Sequence, residues 1–372
     1  MGDQRRPRPA GSAPTIYDVA RESGVAASTV SRAFSRPGRV NSVTAERIRA
    51  AADRLGYRTN PMARALPTGR TAMIALVLSD VTNPVYFEII RGAERAATAA
   101  GYTLLLADTQ ESGRLEREAI ERAVPAVEGL VLSSSRMSDS AVRMAAKQRP
   151  VVVVNRVFSD VPCVVTDSAR GMRRAVEHLG ELGHRSITYL AGPEASWADG
   201  MRWRSVREAG LELEVRVRRL GPYRPTVGGG LAATTDLLQA PSTAVVAYND
   251  LLAIGLMRGL DRAGVRVPRD VSVVGFDNVF GSDFCTPALT TVAAPLRALG
   301  TAAVEQLLAQ LRGVPPRTGK PTVLPVRLVV RDSTAPRSRR KTLAWGTGSG
   351  AAPGPAGASG TGSEVADRPA PG

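Results

Sequence analysis

The stretch TIYDVARESGVAASTVSRAFSRPGRVNSVTAERIRAAADRLGYRTNPMARALPTGRT, residues 15–71, decides the fold of the N-terminal part of the chain. Its first helical segment opens with Thr15 and Asp18 in the spacing of a capping box and stops at Gly24. A second segment follows after a short turn, and a third ends at Gly56. Two short helices joined by a tight turn, with a third behind them, predict a helix-turn-helix unit.

The second helical segment, AASTVSRAF, carries side chains that suit a DNA groove. It contains Ser28, Thr29, Ser31 and Arg32. Small hydroxyl side chains let a helix lie deep in a groove while bonding phosphates, and arginine either reads guanine or holds a phosphate. The same residues would also fit a plain surface helix, and the pattern alone does not decide between the two interpretations.

Positive charge is densest in this N-terminal part of the chain. The 372-residue sequence has a formal net charge of +15, and residues 14–70 contain ten arginines against four acidic residues. Only three lysines occur in the chain, and such a preference for arginine also fits a GC-rich genome. The local density is therefore more informative than the total, and it fits contact with phosphates.

From residue 71 onward, apolar runs alternate with helical segments. Runs such as TAMIALVLSD, YTLLLADT, RPVVVVN and DVSVVGFDN are bounded by turn residues, and segments such as SARGMRRAVEHLGELG lie between them. This alternation predicts parallel sheets that are covered by helices on both faces. The predicted fold class is α/β, with a helix-turn-helix headpiece (14–59), a hinge and linker (60–70) and a core of two α/β lobes (71–332).

Both ends of the chain have compositions typical of disorder. Residues 1–13 form a basic tail with prolines, and residues 333–372 are rich in Gly, Pro and Ala. The first residues lack the apolar core of a signal peptide, and no window contains 18 uninterrupted apolar residues. The sequence therefore predicts a cytoplasmic, nucleoid-associated protein with no membrane partner.

Residues that could support catalysis or bind a metal are sparse. The two histidines, His178 and His184, are six positions apart, which does not place them on one helical face. Cys163 and Cys285 lack metal-ligand spacing and are interpreted as small apolar residues. The chain has no G-x-S-x-G elbow, P-loop or H-E-x-x-H motif. We therefore expect no enzyme activity, no cofactor and no metal.

Three motifs resemble those of one protein family. T-x-x-D-V-A, G-V-x-x-x-T-V-S-R and N-P-x-A-R-x-L occur here in the order and spacing of the headpiece and hinge of the lactose-repressor (LacI/GalR) family. The resemblance implies a homodimeric transcription regulator, usually a repressor, that binds a near-palindromic operator in double-stranded DNA. It implies DNA contacts from Thr15, Tyr17, Ala27, Ser28, Thr29, Ser31, Arg32, Asn60, Ala63 and Leu66.

The hinge has the features of a short helix. Asn60 is a favourable N-cap, Pro61 suits the first helical position, and Pro67 ends the segment after little more than one turn. A helix of this length is not stable alone. The resemblance implies that it folds when two copies meet on DNA and that Leu66 wedges into the minor groove and kinks the duplex. Packing of Leu66 on its own domain is the alternative.

The resemblance continues, more loosely, over residues 71–332, where the family has a two-lobed core similar to that of periplasmic sugar-binding proteins. It implies a small-molecule effector between the lobes, with a sugar favoured, and a first lobe formed by residues 71–162 and 293–323. Polar groups at strand ends are where open α/β sheets bind ligands. The candidate effector-binding residues are Asn83, Tyr86, Phe87, Asp108, Ser135, Asn155, Arg202, Asn249 and Asp277.

Two other functions compete with a sugar-responsive repressor. One is a regulator that responds to a corepressor or a nucleoside instead of a sugar. The other is a sugar-binding receptor without gene control. A receptor of that kind predicts a signal peptide and no headpiece, and the sequence has the reverse pattern.

Overall fold

The computed structural model describes residues 14–35, 38–58 and 70–338, apart from the side chain of Ser35. The hinge residues Asn60, Ala63, Leu66 and Pro67 lie outside the described residues, as do residues 1–13 and 339–372 of the predicted tails. Within the described ranges, no helix is both long enough and apolar enough to span a membrane.

The N-terminal unit is a three-helix domain with its own apolar core. Its helices are α1 (Ile16–Ser23), α2 (Ala27–Ser35) and α3 (Ser42–Leu55). The Asp18 carboxylate accepts hydrogen bonds from the backbone N–H and the hydroxyl of Thr15, at 2.8 and 2.7 Å, and so caps α1. Val19, Val30 and Ile48, one from each helix, are fully buried in one cluster. The helix-turn-helix prediction is confirmed.

The described part of the core contains two six-stranded sheets. The described strands are β1 (Met73–Leu78), β2 (Thr103–Asp108), β3 (Gly129–Ser133), β4 (Val151–Val154), β5 (Cys163–Thr166), β6 (Ser186–Leu190), β7 (Arg216–Leu220), β8 (Ala244–Ala247), β9 (Ser272–Asp277), β10 (Thr290–Ala293), β11 (Thr322–Leu324) and β12 (Arg327–Val329). The first sheet has the order β11-β5-β4-β3-β1-β2 and the second has the order β12-β10-β9-β8-β6-β7. Neighbouring strands run parallel, except that β12 is antiparallel to β10.

Helices cover both faces of these sheets, as predicted. The described core helices are α4 (Val85–Ala99), α5 (Gly113–Ala123), α6 (Asp139–Gln148), α7 (Ser168–Glu181), α8 (Trp197–Glu212), α9 (Val227–Gln239), α10 (Asp250–Arg262) and α11 (Leu296–Leu311). In β1, Ile74 and Leu76 pack with α4 and α11, whereas Ala75 and Val77 face the cluster that contains α5 and α6. Because successive strand residues point to opposite faces, a run that is apolar throughout marks a strand buried on both sides.

The division into lobes differs from the prediction at one strand. β5 pairs with β4 and β11, so residues 163–166 belong to the first lobe, although the first segment of that lobe was predicted to end at residue 162. All four side chains of this strand are buried. A buried run of only four residues carries too little periodicity to be assigned to one sheet or the other from sequence.

A second difference concerns the start of the C-terminal tail, which was predicted at residue 333. Ser333 is fully buried in the second lobe. Its hydroxyl donates to the carbonyl of Val273 at 2.6 Å and accepts from the backbone N–H of Thr290 at 2.8 Å. Because this serine bridges β9 and β10, the second lobe extends beyond residue 332. A single buried serine in a polar stretch gives no compositional signal.

Both histidines make contacts within the second lobe. His184 lies 3.0 Å from the Thr243 hydroxyl through Nδ1 and 3.2 Å from the carbonyl of Ala335 through Nε2. The Nε2 atom of His178 lies 3.0 Å from the Thr334 hydroxyl. Burial lowers the pKa of both imidazoles, which favours their neutral form.

Candidate effector site and nucleic-acid interface

The solvent face of α2 forms the candidate nucleic-acid interface. Val30 and Ala33 point into the headpiece core, whereas Ser28 and Arg32, four residues apart, are exposed on the opposite side. Tyr17 of α1 is 59% exposed. A helix that is buried on one side and presents hydroxyl and guanidinium groups on the other has the form that enters a major groove.

Not every predicted DNA contact is equally available. The Thr15 hydroxyl donates to Asp18, and Arg32 Nε donates to the Ser28 carbonyl at 3.3 Å. Thr29 and Ser31 are half-buried on the flanks of the exposed face, and so is Ala27. The remaining predicted contacts, Asn60, Ala63 and Leu66, lie outside the described residues.

In the core, unusual backbone conformations cluster where strands end. Eight described non-glycine residues have positive φ, and six of them end or follow β2, β3, β4 or β9: Gln110, Glu111, Ser134, Asn155, Asp277 and Asn278. Left-handed conformations are unfavourable for most side chains and persist where the surroundings enforce them, commonly at binding sites. The unfavourable backbone conformations of the core are therefore concentrated at the carboxyl ends of the strands in both sheets.

Arg202 is the centre of the site in the second lobe. It extends from α8 and is only 4% exposed. Its guanidinium carbon lies 3.6 Å from the ring centroid of Phe276 and 4.9 Å from that of Tyr248. One terminal nitrogen donates to the carbonyl of Tyr248, the other lies 3.4 Å from Asp277 Oδ1, and the buried Nε has no hydrogen-bond partner among the described residues. An unsatisfied buried donor of this kind is suited to a ligand oxygen.

Two buried carboxylates accompany this arginine. Burial raises the pKa of Asp277 to about 6, against the opposing effect of the Arg202 charge. Burial also raises the pKa of Asp250 to about 8, and the nearby charge of Asp277 adds to the shift. Asp250 accepts from the Thr291 hydroxyl at 2.5 Å and from the backbone N–H of Val279 at 2.8 Å. The cluster therefore favours a protonated Asp250 at neutral pH.

In the first lobe, Arg136 is a buried candidate residue that the sequence interpretation missed. Its side chain is 4% exposed, and its Nε lies 2.5 Å from Glu111 Oε2. Its Nη1 donates to the carbonyl of Ser134 at 3.0 Å. Its charge also lowers the pKa of Tyr86, against the larger opposing effect of burial. The stretch SSSRMSDS looks like an ordinary surface loop, so no sequence pattern pointed to this arginine.

Most of the other predicted effector residues end or follow a strand, whereas Tyr86 and Phe87 lie in the first turn of α4. Most of them bond to the local backbone. Asn249 caps α10 by accepting from the Leu252 N–H at 3.0 Å and donates to the carbonyl of Pro225. Tyr86 is buried with its hydroxyl 2.5 Å from that of Ser79, and burial raises its pKa to about 12.

Five predicted residues remain, and four of them also bond to nearby backbone N–H groups. These four accept at 2.9–3.4 Å and are Asn83, Asp108, Ser135 and Asn155. Phe87 is 49% exposed. Among the nine predicted residues, Arg202 and Asp277 are the pair that the structure brings into direct contact.

No group of three or more His, Cys, Asp or Glu side chains in the described part of the chain could hold a metal ion. Cys163 is a buried residue of β5, with its sulfur 3.0 Å from the carbonyl of Val161. The described polar groups at the cleft offer hydrogen bonding and ion pairing, with aromatic surfaces beside them.

Comparison with known proteins gives concordant matches to both parts of the chain. A family model described as bacterial regulatory proteins, lacI family, matches residues 15–60, and a model of a periplasmic binding protein-like domain matches residues 176–334. The HTH-type transcriptional repressor CytR of Escherichia coli K12 is 32% identical over 333 residues, which cover 87% of this chain and 97% of the relative. The regulator DegA of Bacillus subtilis is 33% identical, with 87% and 98% covered.

Solved structures show the same architecture. The lac repressor dimer bound to operator and the anti-inducer ONPF is similar with a TM-score of 0.78 and 27% identity, covering 87% of this chain and 100% of that one. The complex of the transcriptional regulator CelR with cellobiose is similar with a TM-score of 0.65 and 31% identity, covering 86% and 99%. The likeness thus extends over the headpiece and both lobes.

Proposed function

This chain belongs to the lactose-repressor family of bacterial regulatory proteins, and from that premise we propose that it is a homodimeric repressor of transcription. The observation that carries this proposal is the exposed face of α2, where Ser28 and Arg32 stand on a rigid three-helix unit. Two such helices in a dimer would read the two halves of a near-palindromic operator. The relation to a solved repressor–operator complex supports the same assignment.

We further propose that a neutral sugar bound between the lobes controls operator affinity. The buried Arg202–Asp277 pair and the free Nε of Arg202 suit hydroxyl groups that both donate and accept. Relatives in this fold have been solved with cellobiose and with ribose. A nucleoside is the second candidate, since the cleft also presents aromatic rings, among them Tyr248.

A ligand screen tests this part of the proposal. Thermal unfolding of the full-length protein should shift upward with one class of neutral sugar or nucleoside, because a ligand at 100 times its Kd stabilises a fold by about 2.7 kcal/mol. The same compound should change operator affinity, and operator DNA should change affinity for the compound by the same factor. A compound that stabilises the protein equally but leaves operator affinity unchanged contradicts the regulatory role.

Operator binding should depend strongly on Leu66, which lies outside the described residues. If this side chain wedges into the minor groove, Leu66→Ala lowers operator affinity by about 10- to 100-fold, because the kink is no longer stabilised. Nonspecific binding, which depends on phosphate contacts, should hardly change. Titration of both DNAs measures the two affinities, with Met62→Ala as the matched truncation. Equal weakening on both DNAs would show that Leu66 does not act as a wedge.

The exposed aromatic residues of the second lobe support self-association. Phe280 and Phe284 are 72% and 68% exposed and form an edge-to-face pair with ring centroids 5.0 Å apart. Exposed aromatic surface of this kind commonly lies in an interface.

We propose that the protein acts by binding alone and has no enzyme activity. Robust turnover of a bound sugar would contradict this.

A further inference from the structure

Three side chains meet at the end of the first sheet where the strands begin, which is the end opposite the candidate effector site. Arg70 precedes β1, Tyr102 directly precedes β2, and Glu128 directly precedes β3. Because β1 lies between β2 and β3 and all three run parallel, their first residues lie side by side. We call Arg70, Tyr102 and Glu128 the strand-start clamp.

Glu128 is the centre of the clamp. Its Oε1 accepts from the backbone N–H of Ala72 at 2.7 Å, and its Oε2 accepts from the Tyr102 hydroxyl at 3.0 Å and from Arg70 Nε at 3.4 Å. Arg70 also donates to the Tyr102 hydroxyl at 2.5 Å. The Glu128 side chain is only 13% exposed, so its charge is partly shielded from water. One carboxylate thus holds two side chains and the backbone where the chain joins the lobe.

The backbone held by the clamp is strained. Ala72 has φ +53, a left-handed conformation that costs an L-residue about 1–2 kcal/mol. Its N–H is bound by Glu128, and its carbonyl accepts from the Thr103 N–H at 2.8 Å. Strain of this size persists only where neighbouring groups fix the residue from more than one side. The clamp therefore determines the direction of the chain at residues 70–72, directly after the hinge and linker.

The same three strands connect this edge to the effector site. β1 leads to Ser79, β2 to Glu111 and β3 to Arg136, all of which belong to the network at the cleft. A six-residue strand is about 20 Å long and is stiffened by its neighbours. A ligand that shifts these strands at the cleft must also shift the residues of the clamp.

We propose that Glu128 is a positioning residue for operator binding, which it aids without touching DNA or effector. It holds residues 70–72 so that the two hinges of a dimer leave their lobes at the spacing that the operator requires. This inference rests on the proposed function of the chain as an operator-binding dimer. Without the clamp, the ordering of these residues would have to occur on the DNA, at the expense of affinity.

The test compares Glu128→Gln with wild type in the full-length protein. The probe is a duplex that the wild-type protein selects from random sequence, and a shuffled duplex of equal length is the nonspecific probe. Glu128→Gln should weaken binding to the selected duplex about tenfold, because glutamine has one acceptor oxygen and cannot hold both the Ala72 N–H and the Tyr102–Arg70 pair. One or more residues per protomer then lose their fixed conformation. Binding to the shuffled duplex and the unfolding temperature should stay close to wild type.

Two further variants sharpen this comparison. Glu118→Gln removes the same charge and breaks the ion pair between Glu118 and Arg114, but Glu118 lies outside the clamp. It should bind the selected duplex within about twofold of wild type, as surface substitutions usually do. Tyr102→Phe removes one clamp hydroxyl and no charge, and it should reproduce part of the Glu128→Gln loss, which keeps the test decisive if Glu128→Gln folds poorly.

The outcomes separate the clamp from the function on which it rests. If Glu128→Gln and Tyr102→Phe both bind the selected duplex like wild type, the proposed role of the clamp is wrong. The proposed function as an operator-binding regulator is then unaffected. Equal loss on both duplexes, or loss that follows a fall in unfolding temperature, also overturns it, because the role would then be structural. Failure of the wild-type protein to select any duplex overturns the proposed function together with the clamp.

Discussion

Arg202→Met is expected to destabilise the second lobe by about 3–5 kcal/mol at pH 7, since removing one partner of a buried ion pair leaves the other charge uncompensated. The charge left behind is Asp277, which is 7% exposed and lies close to the second buried carboxylate, Asp250. Asp277 would have to take up a proton to remain buried. The same variant should lose its response to any effector, because the unpartnered Nε disappears with the guanidinium.

Urea unfolding of the full-length protein measures this effect. Trp197 and Trp203 both lie on α8, on either side of Arg202, so their fluorescence reports on the lobe concerned. Arg204→Met is the matched control, because Arg204 is exposed on the same helix. Arg202→Met combined with Asp277→Asn removes both charges and should recover part of the loss. A single variant as stable as the control would show that the pair carries no stability.

Sequence reasoning named both members of the Arg202–Asp277 pair in the second lobe, but it did not name Arg136 in the first lobe. Arg202 and Asp277 were identifiable because one matches a family position and the other ends a strongly apolar strand. Arg136 was missed because its burial depends on Glu111, which follows a different strand and is brought near it only by the fold. A contact between loops of two strands leaves no local pattern in the sequence.

The same limit explains which elements were predicted. Long apolar runs such as β1 and β9 were recognisable because their burial on both faces requires apolar residues at every position. β7, with the sequence RVRRL, was missed because it is an edge strand whose arginines reach other groups, such as Arg219 with Asp199. Asn249 shows a further ambiguity, since one amide suits both a helix cap and a ligand contact.

The topology offers a mechanical basis for coupling between the effector site and the DNA-binding headpiece. The chain passes between the lobes after β5, after β10 and after β11, so neither lobe can rotate without moving the three connections. An effector that bonds to both Arg136 and Arg202 would favour closure of the lobes, because it is held from both sides of the cleft. The effector shifts the equilibrium between open and closed lobes. Its effect on DNA affinity therefore cannot exceed the difference between its own affinities for the two states.

Asp250→Asn is expected to stabilise the protein at alkaline pH and to flatten the dependence of its stability on pH. Burial, with a contribution from Asp277, raises the pKa of Asp250 from 3.8 to about 8, whereas Arg331 opposes the shift. The folded protein thus keeps a proton that the unfolded chain releases above about pH 4, so stability falls as the pH rises from there to about 8. Each pH unit in that window corresponds to at most about 1.4 kcal/mol.

Asparagine can satisfy the same neighbours without a proton to lose. Its carbonyl can accept from the Val279 N–H and its amide can donate to the Thr291 hydroxyl, at the positions that Asp250 now occupies. We expect a gain on the order of 2–4 kcal/mol at pH 8 and little change near pH 4, where the aspartate is protonated in both states. Urea unfolding from pH 4 to pH 9 measures this, with Asp261→Asn at an exposed position of α10 as the control. An asparagine variant less stable than wild type at pH 8 would mean that Asp250 stays ionised in the fold, and that its charge is balanced by Arg202 or Arg331.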